Sequence, residues 1–252
     1  MLLSVDDLER SFGGVRALDG AALQVEPGEV HGLIGPNGAG KTTLLNVISG
    51  LFRPTRGRIV MGGERIDGLP PHRIAALGIT RTYQNIRLFP GLSALENVLV
   101  GAHLVRPGDT FRRLVFLPSA RADETKARDA AMRLLARVGL AERAHHLVSA
   151  LSYGDQRRVE IARALASSPR LVLLDEPTAG MNAAEVQAVA AVIRQVAKEG
   201  QSVVLVEHNV QLVMTVSDRI TVLNFGKVIA HGEPRQVASH PEVIAAYLGS
   251  EA

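Results

Sequence analysis

A loop that binds phosphate groups is predicted where a glycine-rich run ends in lysine and threonine: Gly35-Pro36-Asn37-Gly38-Ala39-Gly40-Lys41-Thr42. Glycines permit backbone angles that direct successive N–H groups toward one anion, and a helix beginning near Lys41 adds its positive dipole end. We expect Lys41 to reach the β- and γ-phosphates of a nucleotide, the Thr42 hydroxyl to bind Mg²⁺ and Thr43 to contact phosphate. The alternative is a glycine-rich turn without a ligand, but the apolar run before it and the helical pattern after it favour the phosphate loop.

Two adjacent carboxylates, Asp175 and Glu176, follow the apolar run Leu171–Leu174. Parallel strands place ligands beyond their carboxyl ends, so we expect Asp175 to lie near the Mg²⁺ of the phosphate loop. Glu176 would point elsewhere and polarise an attacking water as a general base. The alternative is that both acids cap the turn before Pro177. Beside a phosphate loop, nucleotide hydrolysis is the favoured interpretation.

A third candidate is the stretch Leu151-Ser152-Tyr153-Gly154-Asp155-Gln156. Ser152 and Gly154 supply a hydroxyl and a flexible backbone ahead of a helix that we expect to begin near Arg157. These features suit a second anion-binding site. The alternative is that Ser152 only caps the helix, and one serine can do both.

Hydrophobic periodicity predicts the elements that must hold these residues. Alternation and short apolar runs predict strands over 2–9, 21–26, 30–34, 58–61, 171–174, 202–206, 220–224 and 228–230. Helical spacing predicts helices over 41–49, 92–102, 123–138, 157–166, 185–198 and 241–248. The segment 103–122 has a mixed composition and is interpreted as an insertion. Buried strands alternating with helices predict an α/β fold with a mostly parallel sheet and antiparallel pieces beside it.

Composition narrows the class of protein. The chain has 252 residues, of which 46% are hydrophobic, so it can bury a large core and disorder is not expected. The formal net charge of +3 is too small to predict nucleic-acid binding. There is no cysteine, which excludes disulfides and thiolate metal sites. We expect neither a signal peptide nor a membrane-spanning helix, so work at a membrane would require docking on another protein.

Together the three motifs resemble those of ATP-binding cassette (ABC) proteins. The stretch at 151–156 is similar to their signature motif, with Tyr153 in place of a glycine and Asp155, which brings a negative charge toward the nucleotide, in place of glutamine. The resemblance implies a P-loop hydrolase core with a mostly parallel sheet, an antiparallel β subdomain and a helical subdomain that carries the signature. It also implies ATP and Mg²⁺ as ligands.

Three further residues match landmarks of this family, and a fourth departs from one. Gln84 resembles the glutamine of the Q-loop, which touches Mg²⁺ and the transporter interface, and His208 resembles the switch histidine that contacts the γ-phosphate. Phe12 resembles the aromatic residue that stacks on adenine; without the resemblance it would be assigned to the core. Asn182 stands in the D-loop, the segment after the acidic pair, where an aspartate is usual. The residues that the resemblance implies for nucleotide binding are those of the phosphate loop together with Phe12, Gln84, Ser152, Gly154 and Asp175. Those implied for Mg²⁺ are Thr42, Gln84 and Asp175, and Asp175 would bind the ion directly or through water.

Several stretches are similar to the ATPase subunits of branched-chain amino acid importers, namely Arg81–Phe89, Ala179–Asn182, Glu207–Met214 and Ala246–Gly249. Relatives that move urea, short amides or lipopolysaccharide have similar sequences and are the alternatives. The resemblance implies one ATPase domain over 1–252, with a helical subdomain over about 88–165 and a C-terminal extension over about 225–252. Implied partners are a second ABC ATPase subunit, identical or different, membrane permease subunits and, indirectly, a periplasmic or extracellular substrate-binding protein. The implied location is the cytoplasmic face of the inner membrane. No nucleic acid is expected among the partners.

Two other classes of protein also carry a phosphate loop. Soluble cassette ATPases that act on DNA, chromosomes or ribosomes usually carry a long coiled coil, a zinc insertion or a second cassette, and none of these is evident here. The signature-like stretch at 151–156 and the switch-like His208 argue against a P-loop kinase or metabolic enzyme. Both classes are therefore disfavoured.

Overall fold

Two β-sheets, both in the first of two compact units, hold the predicted phosphate loop and the acidic pair. The structure is a computed structural model that describes residues 1–102 and 118–248. The first unit contains Met1–Arg81, Arg170–Pro177 and the described residues from Ile193 onward. The second unit contains the described residues of Thr82–Pro169 together with Thr178–Val192.

The described residues form ten strands: β1 (Leu3–Phe12), β2 (Val15–Val25), β3 (Val30–Ile34), β4 (Arg56–Met61), β5 (Glu64–Arg65), β6 (Ile79–Arg81), β7 (Leu171–Asp175), β8 (Ser202–Val206), β9 (Arg219–Asn224) and β10 (Lys227–Gly232). The smaller sheet has the order β2-β1-β4-β5 and is antiparallel throughout. The larger sheet has the order β10-β9-β3-β8-β7-β6 and is parallel except for the β9–β10 hairpin. This mixture confirms the predicted α/β class.

The order of the larger sheet explains why distant motifs meet. Strand β8 pairs with β3 on one side and with β7 on the other, and all three run in the same direction. All three strands are buried along their whole length, as expected for parallel strands covered on both faces. The carboxyl ends of β3 and β7, which lead into the phosphate loop and the acidic pair, therefore lie at the same edge.

The described residues also form nine α-helices: α1 (Lys41–Ile48), α2 (Pro71–Ala76), α3 (Ala94–Ala102), α4 (Pro118–Arg137), α5 (Tyr153–Leu165), α6 (Ala183–Lys198), α7 (Val210–Val216), α8 (Pro234–Ala238) and α9 (Pro241–Leu248). Short 3₁₀ turns lie at Ala141–Arg143 and Val148–Ala150. Helix α1 buries Leu44, Leu45 and Ile48 in the core of the first unit. None of the helices in the described ranges is long and apolar enough to cross a membrane.

Three predicted boundaries were wrong by four residues or more. Strand β2 begins at Val15 and not at residue 21, because its pairing with β1 continues to the tight turn between Phe12 and Val15. Helix α5 begins at Tyr153 and not near Arg157, because Ser152 caps it and the chain enters the first turn at once. Helix α4 begins at Pro118 and not at Asp123, which shortens the predicted insertion; the rest of that insertion, 103–117, lies outside the described residues. The short elements β5, β6, α2, α7 and α8 were not predicted, since their few residues carry too little periodicity.

Candidate active site

The phosphate loop joins the end of β3 to the start of α1 and has the backbone that its glycines allow. Gly40 caps α1 with φ +103°, a region that residues with a side chain rarely adopt. A Cβ atom at Gly40 would lie 2.5 Å from the carbonyl oxygen of Ala17, and one at Gly35 would overlap the carbonyl of Leu223. The loop is therefore wedged against two neighbouring strands, and only glycine fits at both positions.

Lys41, the first residue of α1, lies across this loop. Its ammonium donates to the carbonyl oxygens of Gly35 at 2.7 Å and Pro36 at 2.9 Å. Burial lowers the pKa of Lys41, while the negative charges of Glu176 and Asp175 act in the opposite direction. The lysine thus shares its electrostatic environment with both members of the acidic pair, although the sequence analysis expected only Asp175 beside the phosphate loop.

Asp175, at the end of β7, is buried and bound by an arginine that the sequence analysis did not assign. The Arg81 guanidinium lies 2.9 Å from Asp175 Oδ2 and also donates to Asn46 Oδ1 at 2.7 Å and Ser49 Oγ at 3.0 Å. Strand β6 ends with Arg81 and pairs with β7, which brings the two side chains together. Arg81 therefore connects the acidic strand to helix α1 behind the phosphate loop.

Glu176 adopts an unusual backbone conformation and contacts His208. Its φ is +50°, in the left-handed region, and its N–H donates to the Val206 carbonyl at 2.9 Å. The carboxylate oxygen Oε1 lies 2.8 Å from Nε2 of His208. Two residues that were predicted separately, 32 positions apart in sequence, thus form one pair in the first unit.

Phe12, at the end of β1, lies at the surface of the first unit and not in its core. Its side chain is 40% exposed. The ring meets Phe52 edge-on, with centroids 5.2 Å apart, and the Arg10 guanidinium lies 4.5 Å from its centroid. The ring is therefore held in place by two neighbours while part of it stays accessible to a flat ligand.

In the second unit, the stretch at 151–156 forms a capped helix start. Ser152 Oγ accepts a hydrogen bond from the Asp155 N–H at 3.2 Å, the geometry of an N-cap. Gly154 lies in the first turn, against the carboxylate of Glu185, which would have to move to admit a side chain there. The Asp155 carboxylate is buried and paired with Arg143 and Arg158. The negative charge expected at this position is therefore compensated inside the protein.

The D-loop residue Asn182 has a local structural role. Its side chain accepts from the Glu185 N–H at 3.0 Å, and the Glu185 carboxylate accepts from the Asn182 N–H at 3.0 Å. This reciprocal pair is a capping box at the start of α6. An asparagine satisfies the cap as well as an aspartate would.

Gln84 is exposed, and its backbone is held by residues of helix α5. Arg157 donates to the carbonyl oxygens of Tyr83, at 2.5 Å, and of Gln84. Sequence reasoning did not find Arg157, because its partners lie more than 70 positions away. Within the described residues, no group of three or more His, Cys, Asp or Glu side chains is arranged to hold a metal by itself.

A glycine-wedged phosphate loop at the end of a parallel strand, with an acidic pair two strands away, defines a P-loop nucleotide hydrolase. The chain belongs to the ABC transporter family, whose model matches residues 18–179. A second model, for branched-chain amino acid ATP-binding cassette transporters, matches residues 227–252. The resemblance drawn from the motifs is confirmed.

Full-length relatives support the same assignment. The chain is 43% identical over 249 residues to the high-affinity branched-chain amino acid transport ATP-binding protein LivG of Escherichia coli, and 44% identical over 249 residues to BraF of Pseudomonas aeruginosa, with 98% of each chain covered. A crystal structure of the ADP conformation of an ATP-binding cassette superimposes with a TM-score of 0.86 at 29% identity, covering 98% of both chains. A dimeric cassette bound to ADP and Pi superimposes with a TM-score of 0.78 at 27% identity, covering 93% of this chain and 99% of that one.

Proposed function

We propose that this chain is the ATP-hydrolysing subunit that powers import of branched-chain amino acids. The observation that carries the proposal is the convergence of Lys41, Asp175, Glu176 and His208 in one unit of a chain that resembles such subunits over 98% of its length. The two units are then the two parts of a single ATPase domain, with the signature in the second.

Binding of ATP follows from the phosphate loop. Lys41 would exchange its two carbonyl partners for the β- and γ-phosphates, because charge-assisted hydrogen bonds to phosphate are stronger than those to neutral carbonyls. The loop N–H groups from Gly38 to Thr43 and the N-terminus of α1 add fixed positive dipole ends. The accessible part of the Phe12 ring would stack on adenine.

Mg²⁺ fits the oxygen donors of this site. The Thr42 hydroxyl and the Asp175 carboxylate are hard ligands of the kind that Mg²⁺ prefers, and too few to hold the ion without phosphate oxygens. The family resemblance assigns Gln84 to the same ion. When bound, the ion neutralises charge on the phosphates during transfer. Arg81 holds Asp175 on the side of helix α1 and so fixes its orientation.

Hydrolysis would use the pair formed by Glu176 and His208. Glu176 accepts a proton from the attacking water, which is the task of a positioned general base. The 2.8 Å contact with His208 Nε2 holds one carboxylate oxygen, so that the other is directed toward the water. His208 is half exposed, and the family resemblance assigns it to the γ-phosphate as well. Charge stabilisation by Lys41 and the loop supplies the remaining catalysis.

A second ATPase chain would complete each site with its own Ser152 and Gly154. The N-terminus of α5 offers N–H groups to an anion, and the dimeric relative bound to ADP and Pi supports this arrangement. Closure on two ATP molecules and reopening after hydrolysis would drive the permease subunits between two states. Phe89, 50% exposed, is the proposed contact with the permease on the cytoplasmic face of the membrane. A substrate-binding protein delivers the amino acid from outside.

The composite site is tested with Ser152→Arg in a Glu176→Gln background, which retains ATP. We expect this variant to bind ATP as a monomer and to lose ATP-dependent dimerisation on sizing chromatography. Ser149→Arg is the matched control, because Ser149 is also exposed and stands three positions earlier. A dimer that forms with normal ATP dependence in Ser152→Arg would show that Ser152 does not complete the partner's site.

The substrate is tested in proteoliposomes that contain this chain, its permease partners and the substrate-binding protein. We expect ATP-dependent uptake of leucine, isoleucine and valine, and no uptake in Glu176→Gln. Urea, short amides and lipopolysaccharide are the comparison substrates. Uptake of one of these in place of the amino acids would reject the substrate while keeping the ATPase assignment.

A further inference from the structure

Arg157 has the largest fully buried side chain in the described part of the protein, with 1% of its surface exposed. Burying a guanidinium is costly, so its contacts must replace the lost hydration. These contacts are the Glu160 carboxylate at 2.9 Å, the Tyr83 carbonyl at 2.5 Å and the Gln84 carbonyl. A buried cation thus binds the backbone of the Q-loop, which we define here as residues 83–87.

The far end of the Q-loop is bound by the same helix. Glu160 accepts a hydrogen bond from the Arg87 N–H at 3.2 Å, and the Arg163 guanidinium donates to the Arg87 carbonyl. Glu160 is itself 1% exposed. Three side chains of α5, one turn apart, therefore hold both ends of a loop whose middle, at Gln84 and Asn85, is exposed.

Tyr153 joins this cluster to the signature. It directly follows Ser152, and its hydroxyl accepts from Arg157 at 3.2 Å while the guanidinium carbon lies 5.6 Å from its ring centroid. One edge of the ring lies near Gly180 of the D-loop, where a Cβ would lie 3.6 Å from the ring. A glycine at position 153, as in the usual signature, makes neither contact.

We propose that Arg157 is a positioning residue that couples the signature to the Q-loop. When the turn at Ser152 closes on a nucleotide held by the partner chain, Tyr153 moves with it and Arg157 carries the displacement to the Q-loop carbonyls. This inference rests on the proposed function and deepens it. It also gives the tyrosine at 153 a role, since its hydroxyl adds a side-chain hydrogen bond, one turn along the same helix, between the signature and the buried cation.

The first test needs no nucleotide. In the double variant Arg157→Met/Glu160→Leu both charges are removed, so neither is buried alone. We expect hydrogen exchange at the Q-loop amides to become about tenfold faster or more, because charge-assisted hydrogen bonds that hold the loop are lost. The phosphate loop should exchange at its normal rate. Arg158→Met is the matched control, because the guanidinium of the neighbouring Arg158 donates to Asp155 and to the Val138 carbonyl, both outside the Q-loop.

The second test adds ATP in the Glu176→Gln background and uses Tyr153→Phe, which keeps the ring and removes only the hydroxyl. We expect the Tyr153→Phe chain to dimerise with unchanged ATP dependence. In the parent chain, dimerisation should slow exchange in the Q-loop, and in Tyr153→Phe that slowing should be about threefold smaller or more, the effect of one lost hydrogen bond. A purely structural role for Arg157 would not change this ATP-linked difference.

Three results would overturn the inference. They are unchanged Q-loop exchange in the double variant, faster exchange spread evenly over both units, or full ATP-induced slowing in Tyr153→Phe. If the Glu176→Gln chain dimerises with ATP neither with itself nor with a second ATPase subunit, the proposed function fails. The nucleotide-free measurement then still decides whether Arg157 holds the Q-loop.

Discussion

The phosphate loop and the Q-loop are both proposed to contact the nucleotide, but the protein holds them in different ways. The phosphate loop is shaped by its own backbone, with glycines wedged against the carbonyls of neighbouring strands. The Q-loop is held from outside, by Arg157, Glu160 and Arg163 of one helix. A loop built from backbone keeps its shape when a side chain is removed, whereas a loop held by side chains does not.

The two loops should also respond differently to substitution, one in nucleotide binding and hydrolysis and the other in the stability of the protein. Lys41 and Glu176 are proposed to act on the nucleotide, so replacing them should change binding or rate and leave the fold nearly intact. Arg157 is buried and is proposed to act only through the Q-loop, so replacing it should change stability first. The predictions below test this division, beginning with the largest expected effect.

Glu176→Gln should lower ATP hydrolysis by about 10²–10⁴-fold, the usual contribution of a positioned base. ATP binding should persist, and the ATP-bound dimer should accumulate on sizing chromatography. The control is Glu199→Gln, since Glu199 is an exposed carboxylate in the turn that follows α6. Turnover within a few-fold of normal would remove Glu176 from the role of base.

Arg157→Met should lower the free energy of unfolding by about 3–5 kcal/mol, because it leaves the Glu160 carboxylate buried without its main cation. The double variant Arg157→Met/Glu160→Leu should recover most of this loss. Urea titration followed by circular dichroism measures both. A single variant as stable as the parent would mean that the Q-loop does not depend on this ion pair.

Lys41→Ala should weaken ATP binding by about 10–100-fold, since a hydrogen bond to a charged group contributes about 1.5–3 kcal/mol. The fold should survive, because the shape of the loop comes from its glycines. Calorimetric titration with ATP measures the affinity, and Lys227→Ala, at an exposed lysine paired with Asp19, is the control. Unchanged affinity would contradict the assignment of the phosphate loop.

Phe89→Ala should have the smallest effect on stability, within about 0.5 kcal/mol, because the side chain is half exposed. Co-purification with permease subunits should fall while basal ATPase activity stays near normal. Ile244→Ala is the control, at a residue of similar exposure on α9. Equal loss of docking and of basal activity would indicate a folding defect in place of a docking surface.

Features made of adjacent residues could be predicted from the sequence. The phosphate loop, the buried strands and the acidic pair each occupy a few adjacent residues whose types carry their own physical explanation, and the structure has them where they were predicted. The start of α5 was misplaced because Tyr-Gly-Asp resembles a loop, whereas hydrogen bonds from the Asp155 N–H to Ser152 Oγ and from the Gln156 N–H to the Ser152 carbonyl make it a helical turn. Contacts such as Arg81 with Asp175, or Arg157 with Tyr83, join residues 94 and 74 positions apart. Local sequence patterns do not predict such contacts, because they depend on which helices and strands pack together.

The left-handed backbone of Glu176 has a consequence for protein engineering. A residue with a side chain at φ +50° costs about 1 kcal/mol or more relative to glycine, which adopts this region freely. A library selected for thermal stability alone would therefore favour glycine or asparagine at 176. Such a selection would yield a protein of higher thermal stability that had lost its proposed general base. Variants at this position must therefore be screened for thermal stability and for ATP turnover together.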